Sequence, residues 1–254
     1  MPLRLVVRDP GRAPRLPGAQ LAVAEHGDPD AVATALAGVE TVFMVSASES
    51  LDRVDRHRRF VDGALRAGVR HLVYTSFVGA GPSATFTLAR DHGATEDYVR
   101  ASGVSHTFLR DNLYADFLPL MLGEDKVLRG PAGTGRVAAV ALDDVADVAA
   151  AVLQDPEAHE GATYDLTGPA AHSFAELARI LTAALGHEVV YRDETLEEAY
   201  ASRAAFGAPS WQVDAWVSTY TAIAAGELAE PSTAVETITG HPAIAFSELF
   251  RPLG

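Results

Sequence analysis

The segment between residues 40 and 76 constrains the fold of this chain more than any other. Two short apolar runs, Glu40–Ser46 (ETVFMVS) and His71–Ser76 (HLVYTS), flank a stretch from Leu51 to Ala67 whose apolar residues recur near helical spacing. A buried strand, a crossover helix and a second buried strand make the βαβ unit of a parallel sheet. Sheets of that kind take ligands at the carboxyl ends of their strands. Here both strands end in hydroxyl residues, Ser46 and Ser48 on one and Thr75 and Ser76 on the other.

The alternation extends in both directions. Leu3–Val7 reads as a strand, residues 10–18 as irregular chain whose prolines exclude a helix, and Leu21–Ala24 as a further strand. Asp28 before Pro29 opens a helix through Ala37 that Gly38 closes. In the helix 51–67, Leu51, Val54, Phe60, Val61, Ala64 and Leu65 form the apolar stripe, with Asp52, Arg53, Arg56, Arg59 and Arg66 outside it. A Gly- and Pro-rich loop, Phe77–Thr85, precedes a helix from Phe86 to Ser102. Strands follow at Val104–Leu109 and Arg136–Leu142, then a helix Asp143–Leu153 and a short strand Tyr164–Thr167. The last third changes character. Ser173 and Glu176 have capping-box spacing before a helix to Leu185, and Val189–Tyr191 is a short strand. Helices at Leu196–Phe206, Trp211–Leu228 and after Thr233, where Glu236 repeats the capping-box spacing, complete a mostly helical lobe beside an α/β sheet.

Composition narrows the chemistry. A net charge of −14 repels phosphate backbones and counts against nucleic acid as a partner. The absence of cysteine excludes disulfides, thiolate metal sites and a cysteine nucleophile, and suits a reducing cytoplasm. No signal-peptide core and no apolar run long enough to span a bilayer is visible, so a cytoplasmic protein without a membrane partner is expected. Neither an HExxH pattern nor clustered carboxylates point to a metal, and no G-x-S-x-G points to a hydrolase.

Seven segments, taken in order, carry more information than any one motif: LVVRDP (5–10), GDPDAVATALAGVETVFMVS (27–46), AGVRHLVYTSFVGA (67–80), HGATEDYVRASGVSHTFLRDNLYADF (92–117), ALDDVADVAAAVL (141–153), GATYDLTGP (161–169) and TAVETITGHP (233–242). Together they resemble the NmrA-like branch of the atypical short-chain dehydrogenases, nearest to its bacterial NAD(P)H:quinone oxidoreductases. The resemblance implies a Rossmann-like NAD(P)-binding domain over 1–155 and a smaller C-terminal substrate lobe over 156–254 that lends one strand near 164–167. It implies NADP as cofactor, with a small-molecule substrate and a homo-oligomer left open. The activity it implies is reduction of a quinone or similar conjugated carbonyl. The alternatives it carries are a redox sensor that binds NADP without turnover and an inactive truncated member. Family members begin with an apolar strand, a glycine-rich turn and a helix, whereas this chain begins at what resembles their second strand. Either a longer natural chain supplies them, or the sheet lacks its middle strand and is left split or re-paired. As given, the chain is expected to bind dinucleotide poorly.

The resemblance also assigns candidate residues. Arg8 would fork onto the 2′-phosphate of NADP, favouring NADPH over NADH. Asp28 would lie near the adenine, although its plain role is the helix cap. Val45, Ser46 and Ala47 would border the ribose. Thr75, Ser76 and Phe77 end the strand where short-chain dehydrogenases place a catalytic hydroxyl; Ser76 is the preferred match, and Phe77 would line a flat apolar pocket. The Tyr-x-x-x-Lys pair that usually assists that hydroxyl is missing. His92 stands where related reductases carry a lysine and would bind a ribose hydroxyl or relay a proton; a surface helix histidine is its plainer reading. Asn112 and Tyr114, in RDNLY, would face the nicotinamide and the substrate, while Arg110 and Asp111 read as a pair with each other.

Overall fold

The computed structural model describes residues 3–250. In it the strand–helix alternation begins with β1 (Arg4–Val7), β2 (Gln20–Val23), α1 (Pro29–Ala35), β3 (Thr41–Met44), α2 (Arg53–Arg66), β4 (His71–Phe77), α3 (Thr87–Ser102) and β5 (Ser105–Asp111). It continues through β6 (Val127–Gly130), β7 (Arg136–Val137), α4 (Leu142–Gln154), β8 (Thr163–Leu166) and β9 (His172–Ser173). The remainder is α5 (Phe174–Leu185), β10 (Val190–Asp193), α6 (Leu196–Ala204), α7 (Ser210–Ala224), α8 (Ala234–Thr239) and α9 (Phe246–Leu249). A four-stranded sheet has the order β3-β4-β5-β8, with Thr41 of β3 opposite His71 and Met44 opposite Tyr74 in parallel register. The fold is α/β and Rossmann-like. Strands β1 and β2 pair in parallel as a separate two-stranded ribbon, Leu5 opposite Leu21 and Val7 opposite Val23. Of the two forms expected for the sheet, the described residues adopt the split one.

The chain forms two compact units interleaved in sequence. The first holds the described residues up to Thr75 together with Ala94–Phe108 and Val152–Ala162; the second holds Ser76–Gly93, Leu109–Ala151 and the described residues from Thr163 onward. In the first, Met44, Leu72, Tyr74 and Phe108 of the sheet bury against Val32 and Leu36, Phe60, Val61 and Ala64 of α2, and Val99 of α3. Helices α1 and α2 meet closely because position 63 is glycine: a Cβ there would sit 2.7 Å from the Pro29 carbonyl oxygen and 2.8 Å from Val32. Val6 and Ala22 of the ribbon pack on this core. The two-residue period of a strand then turns Leu5, Val7, Leu21 and Val23 to the opposite face, where Leu21 and Val23 are 49% and 55% exposed.

In the second unit Leu128, Phe174, Leu177, Leu181, Tyr220 and Ile223 form the centre of the core. The capping boxes at Ser173/Glu176 and Thr195/Glu198 are both closed, each side chain bonding the other's backbone N–H. A buried ion pair, Arg203 to Glu194 at 3.0 Å, lies with its guanidinium 5.0 Å above the Tyr220 ring.

Several expectations need correction. Helix α2 begins at Arg53, so Leu51 is 82% exposed, while Arg53, placed outside the stripe, and His57 are buried. The strand expected over Arg136–Leu142 stops at Val137, and Leu142 instead begins α4, its N–H held by the Asp116 carboxylate. Thr233 has a turn conformation and makes no side-chain cap, so the spacing to Glu236 does not form a box. Residues 10–18 contain no α-helix but do hold a single 3-10 turn, Pro10–Arg12, which the Asp9 carboxylate caps through the Gly11 N–H. No described helix is long and apolar enough to cross a membrane.

Candidate functional site

The residues singled out from sequence fall into two groups, one in each unit. In the first unit they surround the tip of β3. Thr75 Oγ1 accepts from the Ser46 N–H at 2.9 Å, and His57 Nε2 accepts from the Ala47 N–H at 2.8 Å. Because Nε2 is an acceptor, the His57 proton is on Nδ1, which donates to Thr95 Oγ1 at 2.8 Å. Arg53 Nε donates to the Ala47 carbonyl at 2.9 Å. Burial holds the His57 imidazole neutral, pushing its pKa down to about 3, with Arg53 and His26 adding repulsion. His26 Nε2 donates to the Val45 carbonyl at 3.0 Å, and its own pKa is lowered by burial and by the nearby Arg8 and Arg56 guanidiniums. Arg8 is exposed just beyond β1. Asp28 does cap α1, its Oδ1 accepting from the Asp30 and Ala31 N–H groups, and it also lines a polar pocket of about 270 Å³ with Glu25, Asp52, Asp55, Arg56 and Arg59. Thus Val45, Ser46 and Ala47 lie in a segment after β3 whose backbone is tied down by side chains of α2 and β4 and by His26 ahead of α1, with Thr95 of α3 holding the His57 ring.

In the second unit the group lies at the carboxyl ends of β4 and β5. Ser76 is buried at the end of β4. Phe77 follows it, its ring 4.8 Å from Phe86 and 6.2 Å from the His92 imidazole. His92 is buried, which rules out the surface-histidine reading. Its position on α3 is set by the next residue: a Cβ on Gly93 would sit 2.7 Å from the Gly81 backbone, so helix and loop touch there. The Val78 N–H donates to the Asp111 carbonyl at 3.1 Å, joining the ends of β4 and β5. Asn112 is buried with its amide engaged, Nδ2 donating to the Leu228 carbonyl and Oδ1 accepting from the Leu113 N–H. Tyr114 is half-buried and donates its hydroxyl proton to Asp111 Oδ2 at 2.6 Å.

Asp111 reads from sequence as a partner of Arg110; its carboxyl instead bonds Tyr114, and among the described residues burial and that hydroxyl act on its ionisation. Burial pushes its pKa up to about 7, and the Tyr114 hydroxyl is raised well above its ordinary value by burial and by Asp111. Sequence reasoning missed Asp111, His57 and His26 as site residues. The i, i+3 spacing of Asp111 and Tyr114 was visible, as was the i, i+4 spacing of Arg53 and His57.

A family profile described as NAD(P)H-binding matches residues 1–156. The chain belongs to the NAD(P)H-binding family. Quinone oxidoreductase 2 of Escherichia coli K12 is 32% identical over 249 residues, 96% of this chain and 86% of that protein. NAD(P)H azoreductase of Xenophilus azovorans is 33% identical over 257 residues, 99% of this chain and 89% of that protein. Among solved structures, the NADPH complex of the Escherichia coli quinone oxidoreductase superposes with a TM-score of 0.88 at 31% identity, covering 97% of this chain and 88% of that one.

The donor set fits the ribose and 2′-phosphate side of such a cofactor. Arg8 brings an exposed guanidinium close enough to His26 to lower its pKa, and Thr75 and Ser46 bring hydroxyl groups to strand ends. The N–H groups of Ser46 and Ala47 and the carbonyls of Val45 and Ala47 are already bonded within the protein, so the exposed Arg8 guanidinium and the Ser46 hydroxyl are the groups that fit the ligand here. The connection from β1 to β2 holds only the Pro10–Arg12 turn, so no residue there is assigned to the pyrophosphate.

Proposed function

We propose that this chain is an NADPH-dependent oxidoreductase acting in the cytoplasm, and that it reduces quinones or similarly flat, conjugated acceptors. The observation that carries this reading is the grouping of the Phe77, Phe86 and His92 rings at the carboxyl end of β4, where Ser76 directly precedes Phe77 in the chain. A grouping of that kind suits a planar ring, and the hydroxyl offers a hydrogen bond to its carbonyl oxygen. The relatives named as quinone oxidoreductase and NAD(P)H azoreductase support an acceptor of conjugated type.

In this reading Arg8 holds the 2′-phosphate, Val45, Ser46, Ala47 and Thr75 border the ribose, and Asp28 stands toward the adenine. The bound cofactor supplies hydride. Phe77 orients the acceptor ring, Ser76 and His92 polarise its oxygen, and Tyr114 supplies a proton to it. Asn112 fixes the start of the RDNLY turn that carries Tyr114. Without a Tyr–Lys pair, the proton for the reduced acceptor comes from Tyr114 alone among these residues.

The test is a panel of substituted quinones with NADPH and NADH as donors, followed by absorbance. NADPH-dependent loss of quinone is expected. Replacing Arg8 by Ala removes a charge-assisted contact and should cut the preference for NADPH by roughly 10- to 100-fold, about 1.5–3 kcal/mol. Binding of NADPH without turnover of any acceptor would refute the reading.

A further inference from the structure

The side chain beside the Tyr114 hydroxyl is an acid, Asp111, and not a lysine. Asp111 ends β5, is 2% exposed, and has one oxygen bonded to the Tyr114 hydroxyl at 2.6 Å. Its other oxygen, Oδ1, is buried without a hydrogen-bond partner among the described residues. Such a group is expensive to keep unless it does something, because a buried carboxyl normally saturates both oxygens. Tyr114 stands outward of it, half-buried, with the Phe117 ring packed edge-on at 5.5 Å; Phe117 and Leu120 are 45% and 79% exposed. The phenol therefore has the buried acid at its hydroxyl and the partly exposed Phe117 ring against its own ring.

The electrostatics run opposite to those of a lysine. A lysine beside a tyrosine makes the phenol a better acid. A carboxylate beside it holds the phenol proton back, and only the neutral carboxylic acid can hand a proton on. Burial keeps the neutral form populated at neutral pH, and no charged group among the described residues acts on it. From β4 the neighbour is the Val78 N–H, which bonds the Asp111 carbonyl rather than its side chain.

We propose that Asp111 is a positioning residue behind Tyr114, holding its hydroxyl at the end of β5 and replacing the proton that Tyr114 passes to the oxygen of the reduced acceptor. This rests on the oxidoreductase reading, in which a reduced nicotinamide dinucleotide is the two-electron source. The acceptor, having gained hydride, is left with a negative oxygen. The phenol turns its O–H from Asp111 to that oxygen and accepts instead from the protonated Asp111 carboxyl; the Tyr114 O–H bond then breaks as the acceptor oxygen gains its proton, and the Asp111 O–H bond breaks as the phenol is restored. The carboxylate left behind takes a proton from solvent before the next turnover.

The experiment compares the pH dependence of kcat, with NADPH and a substituted benzoquinone, for the wild-type chain, Asp111→Asn and Tyr114→Phe. The wild type should lose rate about tenfold per pH unit above neutrality. Asp111→Asn keeps the shape but has no proton to give, and should lower kcat roughly 10²- to 10⁴-fold at pH 6 with a flat profile. Tyr114→Phe should also abolish the falling limb, and it carries the test if Asp111→Asn does not fold. A second readout is independent of turnover: the infrared carbonyl band of a protonated carboxyl should titrate near neutral pH in the wild type and be missing in Asp111→Asn. An active wild type whose falling limb survives in either variant, or whose carboxyl band does not titrate there, overturns the relay alone. A wild type inactive toward every quinone overturns the oxidoreductase reading and the relay with it.

Discussion

Replacing His57 by Leu isolates the contribution of the clamp at the tip of β3. Two bonds are lost, one from the Ala47 N–H and one to Thr95 Oγ1, both 2.8 Å, and the imidazole is fully buried. Leaving those two groups without a partner costs about 2–4 kcal/mol in total. For a chain of this length that lowers Tm by roughly 4–16 °C at pH 8. The pH dependence is the sharper signature. The folded ring stays neutral down to about pH 3, whereas the unfolded ring takes up its proton near 6.5. Between those values the unfolded chain binds the extra proton, so stability falls as pH falls. At pH 5, one and a half units below the unfolded value, the loss from this residue is about 2 kcal/mol. The leucine variant lacks that liability, so its deficit relative to wild type should shrink by about 2 kcal/mol between pH 8 and pH 5. Urea unfolding of both proteins at the two pH values measures the difference directly. A deficit that does not change with pH would show that His57 is not held neutral by burial.

Two further outcomes follow from close contacts. Gly93→Ala places a methyl group 2.7 Å from the Gly81 backbone; it should cost about 1–3 kcal/mol and, by shifting His92 and Phe77, raise KM for the quinone more than it lowers kcat. An unchanged melting temperature would show that the helix and loop are not in contact there. Arg203→Leu strands Glu194 in the core and should cost about 3–5 kcal/mol, most of it recovered when Glu194→Leu is added. Equal melting temperatures for the single and double variants would rule this out.

The fold was largely legible because its strands are short continuous apolar runs and its helices carry caps that act locally. Asp28, Ser173 and Gly186 each perform the role their residue type predicts. What local rules did not capture depended on distant partners. Leu142 begins a helix because Asp116, 26 residues earlier, holds its N–H. Thr233 has capping-box spacing but a turn backbone that keeps its side chain from reaching. At the candidate site, Ser76, Phe77 and His92 were singled out through strand ends and resemblance; Ser76 and His92 are buried, and the Phe77 and His92 rings lie 6.2 Å apart. His57 and Asp111 were missed because a polar residue inside an apolar pattern looks like surface until its partners, Ala47, Thr95 and Tyr114, are known.

The ribbon of β1 and β2 has a consequence for handling the protein. One side of it is spent on the core, while the other offers the paired rows Leu5–Leu21 and Val7–Val23 to whatever is nearby. Sulfate or phosphate salts, which strengthen apolar association, should therefore drive reversible clustering despite the charge of −14. Light scattering across a dilution series in such salts will depend on concentration, and lysine substituted at Leu21 and Val23 should keep the particles single.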